Sequence, residues 1–107
     1  MRDHLVVTTV TPDRESATRL ARSAVTARLA ATAQVHGPTT SFFWHLGEIG
    51  EGEEWSAIFK TTRARYAELE ARLTAEHPWT KPEVTAIELA EGSESYLRWV
   101  TEATTES

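Results

Sequence analysis

The residues Ala33-Gln34-Val35-His36-Gly37-Pro38-Thr39-Thr40-Ser41-Phe42-Phe43-Trp44-His45-Leu46 and Trp55-Ser56-Ala57-Ile58-Phe59-Lys60-Thr61-Thr62 decide the fold. Both stretches are rich in β-branched and aromatic residues, which pack well on a pleated surface, so both read as strands. Glycines at 47, 50 and 52 lie between them and turn the chain, making the pair a hairpin with long arms. Gly37-Pro38 interrupts the first arm. Proline cannot donate to a ladder, so this arm is expected to be an edge strand or to carry a bulge. The intervening Glu48-Ile49-Gly50-Glu51-Gly52-Glu53-Glu54 lacks the alternating ligands of a calcium loop and reads as a solvated acidic turn.

The same alternation of patterns continues outward on both sides. His4 to Val10 is apolar and β-branched, a buried strand. Thr11-Pro12-Asp13 then reads as a helix start, with a threonine cap, proline at the first helical position and acids in the first turn. Ala17, Leu20, Ala21, Ala24, Val25 and Leu29 recur at three- and four-residue steps and predict one apolar stripe. Beyond the hairpin, Thr61 or Thr62 caps a helix whose stripe is Tyr66, Leu69 and Leu73. Val84 to Leu89 is a fourth strand. A last helix begins at Gly92-Ser93, with Tyr96, Trp99, Val100 and Ala103 on one face, and the polar tail from Thr104 to Ser107 is expected to fray.

The order is β-α-β-β-α-β-α over one domain, residues 1–107, with no linker or repeat. Two crossover units joined by a hairpin describe an α+β, ferredoxin-like βαββαβ arrangement with an added C-terminal helix and an antiparallel sheet. Helices cover only one face of such a sheet. Phe42, Phe43, Trp44, Trp55 and Phe59 nevertheless place aromatics on both faces of the hairpin, which predicts burial of the other face against further subunits.

Composition narrows the function. A chain of 107 residues is long enough to bury about two-thirds of its unfolded surface. The net charge is −5 and the basic residues are interspersed with glutamates, which argues against nucleic acid as a partner. No apolar run approaches the roughly 20 residues of a membrane span, and Leu5-Val6-Val7 is too short for a signal-peptide core. A cytoplasmic location is the expectation. With no cysteine there is neither a disulfide framework nor a thiolate ligand.

The most chemically dense stretch is His77-Pro78-Trp79-Thr80-Lys81-Pro82-Glu83, between the second helix and the fourth strand. Pro78 stops the helix and Pro82 holds Thr80-Lys81 extended, giving a rigid connector that carries an imidazole, an indole, an ammonium and a carboxylate. It is either a ledge facing a ligand or a stiff corner.

Leu29-Ala30-Ala31, Gly37-Pro38-Thr39-Thr40-Ser41-Phe42-Phe43, Lys60-Thr61-Thr62, His77-Pro78, Pro82-Glu83 and Tyr96-Leu97-Arg98-Trp99, in that order, resemble the CutA divalent-cation tolerance proteins. Thr9-Val10-Thr11-Pro12-Asp13 also fits, so the likeness runs from about Leu5 to Val100. The resemblance implies a tight homotrimer whose hairpin edges pair between subunits, and a role in tolerance to copper or other divalent cations without a defined reaction. It also implies pockets between subunits, lined by Lys60, Glu83, Tyr96 and Trp99 together with the ledge that includes Trp79.

Three positions depart from many relatives. Thr32 stands where a cysteine is common, and His45-Leu46-Gly47 replaces Trp-Glu-Gly before the hairpin turn. Trp79 replaces a tyrosine, exchanging an acceptor hydroxyl for a donor-only indole. Met1 is the only sulfur, so soft coordination of copper(I) has no thiolate to draw on.

A metal site would have to use His4, His36, His45, His77 and carboxylates, none at His-x₃–₅-His spacing. His36 and His45 are an odd number of residues apart, which puts them on opposite sheet faces unless a bulge intervenes. His77 with Glu83 is the best pair for a divalent cation, copper or zinc. The plainer reading is that His77 closes its helix end. Lys60 follows Ile58 and Phe59 and needs an acid partner if it is buried; Glu83 is the natural one, either for structure or to hold a small anionic ligand. Tyr96 and Trp99, at i and i+3, read first as core. There is no nucleophile elbow and no phosphate loop, and Thr11-Pro12-Asp13-Arg14 sets an acid where an acylphosphatase-like cradle, which needs an arginine, would bind its anion. The expectation is binding without catalysis. The two candidate functions are a CutA-like trimer acting in cation tolerance and a PII-like signalling trimer holding an anionic ligand between subunits.

Overall fold

Alternation in the first strand sets the layers. In β1 (His4–Thr11) the side chains of Leu5, Val7, Thr9 and Thr11 are buried while His4, Val6, Thr8 and Val10 are only partly covered. The period of two puts the first set on the core and the second on the opposite face. The computed structural model describes residues 3–105, and in it six further elements follow: α1 (Arg14–Thr26), β2 (Thr32–His45), β3 (Glu48–Thr62), α2 (Arg63–Glu76), β4 (Val84–Glu88) and α3 (Glu94–Ala103). The four strands form one antiparallel sheet in the order β2-β3-β1-β4. That is the predicted α+β split βαβ arrangement with its added helix.

The core lies between the sheet and the helices α1 and α2. Leu5, Val7, Ala57 and Phe59 from the strands meet Ala17, Leu20 and Ala24 of α1 and Leu69 and Leu73 of α2, all buried in one cluster. The loop after α1 closes by backbone geometry: Arg28 adopts φ 60°, the Leu29 N–H donates to the Ala24 carbonyl and the Arg28 N–H to the Val25 carbonyl. This paired closure satisfies carbonyls that the helix end leaves open.

Several expectations need correction. The first strand runs one residue further than His4 to Val10, because Thr11 pairs with Trp55 and its hydroxyl donates to the carbonyls of Asp13 and Trp55. Asp13, not Thr11, caps α1: its backbone is extended and its Oδ1 accepts the Ser16 N–H at 2.7 Å. The glycines do not all turn the chain. Leu46 (φ 51°) and Gly47 (φ 81°) make a two-residue turn of the primed kind favoured by twisted strands. The acidic run Glu48 to Glu54 is therefore strand, paired residue for residue with Thr39 to His45. Gly50 belongs in it because a Cβ there would collide with the ring of Phe43. The tail does not fray from Thr104: that residue is buried and its hydroxyl donates to the Val100 carbonyl at 2.8 Å. Residues 106 and 107 of the predicted tail lie outside the described residues.

The expected interruption at Gly37-Pro38 is a register shift between His36 and Thr39, on an edge strand. Two residues of β2, Gly37 and Pro38, stand against Trp55 alone, and a Cβ at Gly37 would meet the Trp55 ring. The extra residue reverses the parity of everything beyond it. Past that point the hairpin outruns β1, whose last pair is Thr11 with Trp55. The result is an arm that lengthens the molecule to 45 × 25 × 21 Å.

A candidate cleft beneath the connector

The connector takes its shape from Pro78. A proline disfavours helical geometry in the residue before it, and His77 accordingly leaves the helix at φ −72°, ψ 143°. This turns its ring toward the end of β1. His77 is buried, its Nε2 lies 2.7 Å from the Val10 carbonyl, and its Nδ1 accepts the Trp79 N–H at 3.0 Å. A carbonyl can only accept and a backbone N–H can only donate. The ring is therefore the tautomer with its proton on Nε2, and both nitrogens are engaged. The Trp79 ring follows at 5.4 Å from the imidazole, tilted by 38°.

Trp79, Thr80 and Lys81 form one wall of a cleft of about 790 Å³. The other wall comes from the hairpin arm: Phe43, His45 and Glu54. These three share a face because of the bulge. Beyond it Thr39 pairs with Glu54, Phe43 with Gly50 and His45 with Glu48, all on one side; without the extra residue His45 would point to the other. His36 pairs with Ser56 on that same side, so the condition set by the odd spacing is met and the two imidazoles share a face. They remain about 26 Å apart along the strand and cannot share a ligand.

The predicted site residues are not gathered in one place within a single chain. Lys60 pairs across the sheet with Val6 on the face away from the helices, whereas Glu83 precedes Val84, which pairs with Thr9. The register separates them by about 13 Å along the strands, and no ion pair joins them among the described residues. Glu83 is exposed and accepts from the Thr85 hydroxyl at 3.0 Å. Tyr96 and Trp99 are exposed rather than core, with their rings 5.9 Å apart. The helix that carries them, α3, is tied to the far end of β1 by a contact of 2.9 Å between His4 Nε2 and the Thr101 hydroxyl. Of the residues expected to bind a metal, His77 is committed to backbone partners. No group of three His, Cys, Asp or Glu side chains among the described residues could hold a metal ion.

Sequence reasoning missed Glu54 and Phe43 as partners of the connector. Glu54 was assigned to a solvated turn. The signal that could have placed it was the Gly37-Pro38 interruption, since one extra residue fixes which side of the arm His45 and its neighbours take. No titratable group in the cleft combines with a third ligand-type side chain, but the side chains of His45 and Glu54 make no hydrogen bond or ion pair with the described residues. An imidazole and a carboxylate, about 20 Å apart along the arm by register, thus face a wall that carries an ammonium.

Comparison with known proteins bears on this arrangement. The sequence model of the family described as CutA1 divalent ion tolerance protein matches residues 5–103. The Divalent-cation tolerance protein CutA of Thermus thermophilus is 37% identical over 99 residues, covering 92% of this chain and 96% of that protein. The protein of the same name from Pyrococcus horikoshii is 34% identical over 100 residues, covering 94% and 97%. A solved structure of the Thermus thermophilus divalent cation tolerance protein superposes with a TM-score of 0.92 at 36% identity, covering 95% of this chain and 99% of that one. Among the described residues no helix is long and apolar enough to cross a membrane.

Proposed function

The chain belongs to the CutA1 divalent ion tolerance protein family, and from that premise we propose that it works in tolerance to divalent cations as a homotrimer that binds copper(II) or zinc without catalysis. The observation that carries the binding role is the cleft in which His45 and Glu54 face the connector. Neutral imidazole and carboxylate are borderline-to-hard donors suited to these ions, whereas copper(I) would want sulfur. Six register steps, about 20 Å, separate His45 from Glu54, so the two cannot share one cation and a complete site draws its further donors, Glu83 among the candidates, from a neighbouring copy. The trimer is supported by the arm: Phe42, Trp44, Leu46 and Ile49 are exposed large hydrophobic side chains on a hairpin that outruns the rest of the sheet.

Titration of copper(II) and zinc against the purified protein tests the site. His45→Ala with Glu54→Gln is expected to weaken binding at least about tenfold, Glu83→Gln to weaken it less, and His77→Ala to act through stability rather than affinity. Equal binding by the wild type and the His45, Glu54 variant defeats the assignment. Native mass spectrometry reports the assembly in parallel, and a dominant monomer defeats the intersubunit part of the reading.

A second reading rests on Lys60. Its half-buried ammonium makes no ion pair or hydrogen bond with the described residues, on the sheet face that a neighbouring copy would cover. A small carboxylate or nucleotide between subunits would meet that charge, as in a PII-like signalling trimer. A thermal shift produced by such an anion and lost in Lys60→Ala would favour this reading over the cation site.

A further inference from the structure

The helix layer carries a second concavity that neither reading uses. We propose that the groove between α1 and α2 binds a small anion bearing several phosphates, at a site separate from the connector cleft. The groove has a volume of about 920 Å³, and Arg14, Arg19, Arg22 and Arg72 all line it, with Thr18 and Ser23 between them. Four of the chain's 11 lysines and arginines therefore converge on one groove of a protein whose net charge is −5. Glu15 is the only carboxylate in the lining.

The spacing produces this convergence. Arg14, Thr18 and Arg22 follow at four-residue steps and stack along one face of α1, while Arg19 and Ser23 make the adjacent row. The buried face of the same helix is Ser16, Ala17, Leu20, Ala21 and Ala24, so packing does not call for arginines on the outer side. Arg72 reaches across from α2, donating to the Ser23 hydroxyl at 3.0 Å and to Glu76 at 3.3 Å. The side chains of Arg14 and Arg22, two turns apart on α1, make no ion pair or hydrogen bond with the described residues. Both guanidiniums are therefore open to a ligand.

The chemistry of the lining selects phosphate. Guanidinium groups present planar pairs of donors that match phosphate oxygens bidentately, and the hydroxyls of Thr18 and Ser23 add single donors between them. Arg72 is shared with Glu76 and Arg19 lies near the Asp13 carboxylate, so Arg14 and Arg22 are the guanidiniums left to meet the charges of a phosphate-bearing anion. The volume is that of a small-molecule site. At physiological ionic strength the screening length is about 8 Å, so the groove acts locally and the acidic surface elsewhere does not cancel it. The groove lies on the outer side of the helix layer, on the opposite side of the sheet from Lys60.

Calorimetric titration of the full chain with inorganic tripolyphosphate tests the proposal. Binding is expected to weaken as salt is raised, and Arg19→Gln with Arg22→Gln is expected to reduce affinity at least about tenfold. The control variant Arg28→Gln with Arg98→Gln removes the same charge outside the groove and is expected to keep wild-type affinity. In the unaltered protein, amide resonances of residues 14–27 and of Arg72 should shift on adding tripolyphosphate, a readout independent of variant folding. ATP should compete for the same site. No binding, equal loss in both double variants, or shifts confined to other regions overturns the proposal. Tighter binding of poly-glutamate than of tripolyphosphate overturns the phosphate assignment in favour of an acidic protein segment.

Discussion

The two ends of the β2–β3 hairpin have similar composition and opposite surroundings. At the base, Ala57 and Phe59 are sealed beneath α1 and α2 by this chain alone. In the arm, Phe42 is 68% exposed, Trp44 76% and Leu46 89%. Both ends are aromatic and β-branched. What differs is the partner: β1 and the helices accompany the base, and β1 stops at Thr11 opposite Trp55. Hydrophobicity marks residues to be buried without saying whose surface buries them, and fully burying one such side chain is worth about 1.5–3 kcal/mol. The arm therefore has several kcal/mol of unused burial to offer another molecule, whereas the helix-covered face of the base has none.

The comparison breaks most readily at the base. Phe59→Ala removes the largest fully buried side chain and should cost about 3–5 kcal/mol, as read by urea denaturation. A loss below about 1 kcal/mol would mean that the base is not the self-sufficient half. The arm should respond in the opposite sense. Phe42→Ser with Trp44→Ser is expected to shift sedimentation from the assembled to the monomeric species while circular dichroism keeps the fold. Unchanged assembly would show that the exposed aromatics are not the contact.

His77 sits where the two regions meet. Replacing it by alanine leaves the Val10 carbonyl and the Trp79 N–H without their partner at the point where β1 ends and the cleft begins. The expected cost is about 1–3 kcal/mol, with disturbance of Trp79 fluorescence, since the ring loses both its neighbour and its backbone anchor. A metal ligand would instead show a loss of copper or zinc affinity at unchanged stability.

The sequence carried the base of this molecule more completely than the arm, for a physical reason. Leu69, Leu73, Ala17 and Leu20 repeat with the helical period, and a period is a property of neighbouring residues. Phe59 and Val7 alternate for the same reason. The cleft depends instead on one extra residue at Gly37-Pro38, which moves His45 to the side of Glu54; the interruption was visible, but its effect on facing needs the register with β3. Asp13 was passed over as a cap because Thr11 and Pro12 offered an equally good local pattern. Only the pairing of Thr11 with Trp55 removes that choice. Tyr96 and Trp99 show the converse, since helical spacing on one face does not state whether this chain supplies the covering surface.

Thr9 refines the account of the base. Its side chain is buried and its hydroxyl has no partner among the described residues. Thr9→Val keeps the shape and removes the unpaired polar group, so it should stabilise by up to about 1 kcal/mol. A destabilisation would show that the hydroxyl is hydrogen-bonded in solution.

The smallest effect is expected at the cap of α1, and its pH dependence carries a sign. The Asp13 carboxylate is held below the ordinary carboxylate range chiefly by the hydrogen bond from the Ser16 backbone, then by a side-chain interaction with Ser16, while the nearby Arg19 charge adds in the same direction. A carboxyl lowered in the folded state contributes stability above its unfolded value of about 4 and loses it as pH falls through the lower folded value. Asp13→Ala should therefore lower the melting temperature at neutral pH, and the gap from the wild type should close in acid. Asp13→Asn can keep a capping acceptor without the charge and should flatten the pH dependence. Both differences should be the same in the Phe42, Trp44 variant, because the cap belongs to the helix-covered half and shares no partner with the arm. A cap effect that vanishes in the disassembled variant would mean that the two regions are energetically coupled, contrary to the division drawn from their burial.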